Sequence, residues 1–274
     1  HENEWLCGVE RVSSVQIGTE WQTLRGNQYA AKAGAKNTLK AQFDMDRCVT
    51  FSLLSGKYSG AYTIIEDKLD VAKPLIICSP DNMSEAAQRN VIDFVERGGK
   101  LLLLSTIPVT NNDFEPCTEL RDFIGDVQFA ENDSRDSVTL IGGRRVFRIN
   151  CANKIAKLPV GAEVFATDST GENVLGFKKR FGNGEIVYIG GTWLTNDFNQ
   201  VAMLEDILAG FGAKPCVENS NRTVYATMFE DSDRACIFLI NLYTGAQETE
   251  AKAYTKHGTV DLGKVELAPM EVKI

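Results

Sequence analysis

The stretch KPLIICSPDNMSEAAQRNVIDFVERGGKLLLLS, residues Lys73–Ser105, decides the fold. Pro74-Leu75-Ile76-Ile77-Cys78 is a short, continuous apolar run of strand length, and Ser79-Pro80-Asp81-Asn82 supplies turn chemistry directly after it. Ser84 is a good N-cap with Glu85 in the first helical turn, and Ala87, Val91, Phe94 and Val95 recur at helical spacing until Gly98-Gly99 stops the helix. Leu101-Leu102-Leu103-Leu104-Ser105 is apolar without alternation, as a strand buried on both faces of a parallel sheet must be. Strand, helix and strand in this order define a right-handed βαβ unit. Its loops at Ser79–Met83 and Thr106–Asn112 then fall at the carboxyl edge of the sheet.

Outward from this unit, Lys36–Leu54 reads as a helix with Leu39, Phe43 and Met45 inward, and Tyr62–Ile65 as a strand. Downstream, Cys117–Phe123 reads as a short helix stopped by Gly125. Ser137–Ile141 and Arg145–Ile149 read as a hairpin turning through Gly142-Gly143. Glu163–Thr167, Val174–Phe181 and Glu185–Ile189 are strands separated by Asp168-Ser169-Thr170-Gly171 and Gly182-Asn183-Gly184. A helix capped by Asn196 or Asp197 carries Val201, Leu204, Ile207, Leu208 and Phe211 on one face, and Gly210–Pro215 is the clearest linker signal. Beyond Cys216 only strands are expected: Thr223–Phe229, Ala235–Asn241, Gln247–Tyr254, Val265–Leu267 and Glu271–Ile274. The expected division is an α/β domain over residues 1–212 and a small all-β domain over 213–274.

The 274 residues are 43% hydrophobic and 24% charged, an ordinary globular composition that excludes disorder and fibrous classes. No apolar run approaches the roughly 20 residues of a membrane helix. A net charge of −8 argues against nucleic acid, whose binding requires clustered Lys and Arg. The seven cysteines are odd in number and lack a C-x-x-C pair, and Cys78 and Cys236 sit inside apolar runs, so reduced thiols and a cytoplasmic history are expected. With two histidines, His1 and His257, no zinc site at the usual spacings is expected, and no cofactor. The chain opens on His1-Glu2-Asn3 without Met, which suggests a piece of a longer polypeptide.

The search for chemistry yields weak candidates. Cys78 at a strand-to-helix turn invites comparison with a nucleophile, but it is followed by Ser79-Pro80 rather than set in G-x-C-x-G, and no histidine is within reach in sequence terms. A buried strand cysteine is the better reading. Ser79 and Ser105 stand at strand ends without G-x-S-x-G. Gly142-Gly143 and Gly182-Asn183-Gly184 join strands instead of opening helices, so they read as turns and not as phosphate loops. Trp193, and Trp21 with Tyr29, are candidates for stacking on a sugar, with core packing the more economical reading. No catalytic, cofactor-binding or metal-binding residue is therefore assigned.

Lys73–Ile77, Gln88, the run Phe94–Leu101, Pro108, Glu115–Gly125 with its P-C-T-x-L-x-D-F-x-G pattern, and Gly182–Gly191 together carry a resemblance. From about Cys48 to Ile274 the chain resembles the C-terminal region of large bacterial β-galactosidases of glycoside hydrolase families 35 and 42. That resemblance implies a three-layer α/β domain of the flavodoxin or class I glutamine amidotransferase type, called the trimerisation domain, followed by a small antiparallel, sandwich-like β domain. It also implies a (β/α)8 barrel elsewhere in the same polypeptide as partner, a homo-oligomer, and two catalytic glutamates in that barrel with no counterpart here. A barrel alone takes about 250 residues, too many to fit beside the two domains read above. The implied function is a non-catalytic portion of a β-galactosidase serving subunit association and support of the barrel. A free-standing amidotransferase-like enzyme and a carbohydrate-binding module are the alternatives.

Overall fold

The computed structural model describes residues 4–20, 38–130, 136–140, 143, 145–149, 153–191 and 198–274. The chain forms two compact units: one built from Gln16–Val49 and Tyr62–Met203, the other from His1–Val15, Thr50–Ala61 and Leu204–Ile274.

In chain order the elements up to residue 210 are β1 (Val15–Thr19), α1 (Thr38–Ser55), β2 (Gly60–Ile64), β3 (Leu75–Ser79), α2 (Glu85–Glu96), β4 (Lys100–Ser105), α3 (Glu119–Ile124), β5 (Gln128–Ala130), β6 (Asp136–Leu140), β7 (Arg145–Ile149), β8 (Lys154–Lys157), β9 (Ala162–Thr167), β10 (Val174–Phe181), β11 (Gly184–Ile189) and α4 (Phe198–Gly210). The strands make one mixed sheet in the order β2-β1-β3-β4-β11-β10-β9-β6-β7, with β8 also on β10 and β5 on β8. β1, β3, β4 and β11 run parallel, with Ile17 opposite Ile76, Ile76 opposite Leu102 and Leu102 opposite Val187. The remaining pairs from β11 outward along the ordered path are antiparallel.

The βαβ unit forms as its sequence requires. Ser84 Oγ accepts the Ala87 N–H at 3.2 Å, which caps α2, and Gly98 closes it at φ 102°, a conformation that suits glycine. Ala87, Val91, Phe94 and Val95 are fully buried, as are Leu101, Leu102, Leu103 and Leu104 on β4. Each of the valine, leucine and phenylalanine side chains removed from water contributes about 1.5–3 kcal/mol before chain entropy is charged against it.

Buried polar groups in this unit are tied to backbone. Gln88, fully buried on α2, donates to the carbonyls of Met83 at 3.0 Å and Cys117 at 3.2 Å and accepts the Leu120 N–H at 3.0 Å, so one amide fixes the start of α3 against α2. Gln88→Leu keeps the volume but leaves these groups unpaired in an apolar surround. It is expected to cost about 2–4 kcal/mol, read as a lower denaturation midpoint with unchanged slope.

Several sequence expectations need correction. The sequence proposes no strand within the first 40 residues, yet β1 lies there as an interior strand between β2 and β3. It is five residues long and carries Gln16, whose amide donates to the carbonyls of Asp70 and Lys73 at 2.8 and 3.0 Å, and Gly18, which lies so close to Ile77 and Ile65 that a Cβ would meet them at 3.0–3.1 Å. Neither residue advertises a strand. The β6–β7 hairpin exists, but Thr139 pairs with Arg145 and the Gly143 N–H bonds the Leu140 carbonyl at 3.0 Å, which is out of register for a two-residue Gly142-Gly143 turn. The strand expected at Val265–Leu267 is longer, as the next elements show.

The second unit contains β12 (Val217–Asn219), β13 (Val224–Glu230), β14 (Ala235–Asn241), β15 (Gln247–Thr255), β16 (Gly258–Leu267) and β17 (Val272–Lys273). They pair as two three-stranded sheets, β12-β15-β16 and β13-β14-β17, around a core of Val217, Val224, Met228, Leu239, Ala253 and Leu267. β12 was not foreseen, and β16 starts seven residues before Val265 because most of its side chains face solvent and carry no apolar alternation. Within this unit Glu205 accepts the Lys57 N–H at 2.9 Å and pairs with Arg222 at 2.6 Å.

Candidate functional site

In an open α/β sheet a ligand is expected outside the carboxyl ends of the parallel strands. Here the segments after β1, β3 and β4 meet at that edge and their polar groups satisfy one another. Glu20, just past β1 and 2% exposed, places its carboxylate at the N-terminus of α2. Its Oε1 and Oε2 accept the Ser84 N–H at 3.0 and 3.3 Å, and Oε1 accepts Asn112 Nδ2 at 2.9 Å. Asn82 Nδ2 in turn donates to Asn112 Oδ1 at 3.3 Å. A helix N-terminus attracts anions through its free N–H groups and dipole. In this chain the anion is the protein's own glutamate.

Cys78 lies on β3 under the same edge and is 1% exposed. Burial pushes its thiol far above the ordinary cysteine range, and the adjacent, hydrogen-bonded Asp46 on α1 pushes the same way. Asp46 is itself raised to about 7, chiefly by burial, with the Cys78 hydrogen bond acting in the opposite sense. A nucleophilic cysteine needs the thiolate, which an electropositive and partly open setting provides. Cys78 has the reverse of both conditions. Iodoacetamide at neutral pH is expected to leave it unmodified in the native chain and to label it after denaturation, as peptide mass spectrometry would read.

The strand-end serines are also committed. Ser79 Oγ donates to the Pro80 carbonyl at 3.0 Å, and its own carbonyl accepts Thr106 Oγ1 at 2.8 Å. Ser105 adopts φ 77°, an uncommon backbone for a residue with a Cβ, and its carbonyl accepts both Tyr188 Oη at 2.9 Å and Asn153 Nδ2 at 2.8 Å. Two side-chain donors, the buried Tyr188 and the half-buried Asn153, thus hold the bend at the end of β4. His257 belongs to the second unit, where its Nε2 lies 3.1 Å from the Ser232 carbonyl. Gly182-Asn183-Gly184 is a hairpin turn, with Phe181 opposite Gly184 and Gly182 at φ 59°. Trp21, Tyr29, Trp193, Gly142 and His1 fall outside the described residues. Among the described residues no cluster of three His, Cys, Asp or Glu is placed to hold a metal ion, and no helix is long and apolar enough to cross a membrane. Sequence reasoning missed Glu20; its signal is an acidic residue directly after a five-residue strand and well before the helix that it caps.

A mixed α/β sheet with helices, joined to separate antiparallel sheets, is the architecture of β-galactosidase domains, and the comparisons make this specific. Residues 62–160 match the family described as GLMA-like, second domain. The exo-beta-D-glucosaminidase of Pyrococcus horikoshii is 32% identical over 158 residues, which is 55% of this chain and 20% of that protein. A beta-1,2-glucosyltransferase of Ignavibacterium album is 22% identical over 211 residues, 75% of this chain and 28% of that protein. The crystal structure of beta-galactosidase from Bacillus circulans sp. alkalophilus superposes with a TM-score of 0.74 at 14% identity, over 98% of this chain and 42% of that chain. The chain therefore spans only a fifth to just over a quarter of the curated relatives it matches. The resemblance to a β-galactosidase region holds at the level of fold, and in sequence the chain is similar to the GLMA-like second domain and to part of a glucosaminidase.

Proposed function

We propose that this chain is a non-catalytic region of a larger carbohydrate-active enzyme of the β-galactosidase or β-glucosaminidase kind, serving subunit association and support of a catalytic (β/α)8 barrel in the same polypeptide. The observation that carries the reading is that, among the described residues, the polar groups at the carboxyl edge are committed to one another. Glu20 occupies the N-terminus of α2, and Cys78 is buried against Asp46. An accessory domain has no need of a vacancy there. The strand order β2-β1-β3-β4-β11, with α2 crossing between parallel β3 and β4, supports the amidotransferase-like description of the first unit. The described cysteines are free thiols, which supports a reducing, cytoplasmic setting.

The association role makes a measurable demand. Sedimentation equilibrium of the whole chain at concentrations up to about 100 μM is expected to give a mass that is a multiple of 30.2 kDa. A monomer throughout that range removes association from its role. The chain would then be left to support the barrel alone.

A further inference from the structure

Asn183-Gly184 is the only Asn-Gly pair in the chain, and Asn183 lies at the tip of the β10–β11 hairpin. Phe181 pairs with Gly184 across a two-residue turn in which Gly182 takes φ 59°. The Asn183 side chain is exposed, and among the described residues it takes no hydrogen bond. Its backbone is held instead: the Asn183 carbonyl accepts the Lys100 ammonium of β4 at 2.8 Å. Gly184 is held as well, since the next N–H, of Glu185, bonds the Gly99 carbonyl at 3.1 Å and a methyl on Gly184 would collide with the Val95 carbonyl.

Other asparagine amides are tied down and precede residues with side chains. Asn82 donates to Asn112 Oδ1 at 3.3 Å, and Asn111 Oδ1 accepts the N–H groups of Asp113 and Glu115 at 2.9 and 3.0 Å. Asn241 donates to the carbonyls of Gly245 and Ala268 at 2.9 and 2.8 Å. Asn183 alone among these combines a free amide, a following glycine and a cation on the intervening carbonyl.

We propose that Asn183 is a site of spontaneous covalent modification, in which its side-chain amide is lost as ammonia and an isoaspartyl linkage to Gly184 takes its place, with Lys100 promoting both steps. In the first step the Gly184 backbone nitrogen gives its proton to solvent and attacks Asn183 Cγ. The N–Cγ bond forms, the Cγ–Nδ2 bond breaks, and ammonia leaves with a proton from water, closing a cyclic imide. The charge of the deprotonated peptide nitrogen is shared with the Asn183 carbonyl oxygen, where the Lys100 ammonium favours it. Glycine offers no side chain to hinder the approach. In the second step water adds at the main-chain carbonyl carbon that Lys100 polarises, and the bond from that carbon to the Gly184 nitrogen breaks. The chain then runs through Cγ, and the carboxylate released stays beside Lys100. This linkage adds one methylene to the backbone directly before Gly184, where the Val95 carbonyl leaves no room, so the modified chain loosens the start of β11 from the end of α2. The inference is independent of the role proposed above.

The test incubates the whole chain at pH 8 and 37 °C and reads each asparagine by peptide mass spectrometry, with methyl transfer by a protein-isoaspartate methyltransferase to mark the linkage. Asn183 is expected to convert ahead of Asn82, Asn111 and Asn241, with isoaspartate exceeding aspartate. Lys100→Met should slow conversion several-fold in the folded chain, Lys100→Arg should restore it, and all three rates should coincide after denaturation. The converted chain should unfold at lower denaturant than Asn183→Asp, which carries a carboxylate without the added backbone atom. An Asn183 that stays intact in the folded chain while the denatured chain converts overturns the proposal. So does conversion of folded Lys100→Met at the parent rate, or a product that is mainly aspartate.

Discussion

Replacing Asp46 by asparagine will raise the stability of the chain at pH 8 and leave it nearly unchanged at pH 4. The carboxyl of Asp46 is held at about 7 by burial, against an ordinary value of roughly 3.9 in the unfolded chain. Folding therefore favours the protonated form. The stabilisation associated with that proton is fully present below about pH 4, declines as pH rises, and is lost above about pH 7. At about 1.4 kcal/mol per pH unit over that window, the loss is on the order of 4 kcal/mol. Asparagine has similar shape, offers Cys78 an acceptor and does not titrate. Chemical denaturation of both proteins at pH 4, 6 and 8 should show the parent falling with pH relative to the variant, and the gap at pH 8 should correspond to a melting difference on the order of 10 °C. Parallel pH profiles would mean that Asp46 is ionised and solvated in the folded chain.

Gly184→Ala will be the most damaging methyl addition near the parallel sheet. A Cβ at Gly184 would lie 1.9 Å from the carbonyl oxygen and 2.9 Å from the carbonyl carbon of Val95. Both are backbone atoms, so no rotamer change relieves the clash. The same oxygen accepts the Gly98 N–H at 2.9 Å in the turn that ends α2, and Gly184 opens β11, which lies between β4 and β10. Movement on either side breaks a helix stop or a strand register, and a cost of about 3 kcal/mol or more is expected. Gly182→Ala in the same turn is the control. It has open space around its Cβ position and a φ of 59°, so it carries only the left-handed backbone penalty of about 1–2 kcal/mol. Equal effects at the two positions would show that close packing of β11 against α2 is not the constraint.

The parts of the fold legible in the sequence are those whose burial is one-sided or complete over a long enough run. The β3-α2-β4 unit was readable because Ser84, the apolar face from Ala87 to Val95, Gly98 and the four leucines from Leu101 all point to the same answer. β1 was not, because its Gln16 is buried only by virtue of carbonyls more than fifty residues away, and its Gly18 is required by side chains of other strands. β16 escaped for the opposite reason: its outer position leaves it solvated, with no periodicity to detect. At the candidate site, sequence alone showed that Cys78 lacked a glycine elbow and a histidine. The partnership with Asp46 on another helix, and the closure of the α2 N-terminus by Glu20, are long-range facts. Local patterns do not contain them.

The proposed function holds that this chain brings no active site of its own to the larger enzyme proposed for it. Its most direct test is turnover of p-nitrophenyl β-galactoside and p-nitrophenyl β-glucosaminide by the purified chain at high concentration, between pH 5 and 8. The account predicts release of nitrophenol at the rate of buffer alone. Saturable hydrolysis that copurifies with the folded chain and falls in Glu20→Gln or Cys78→Ser would contradict it.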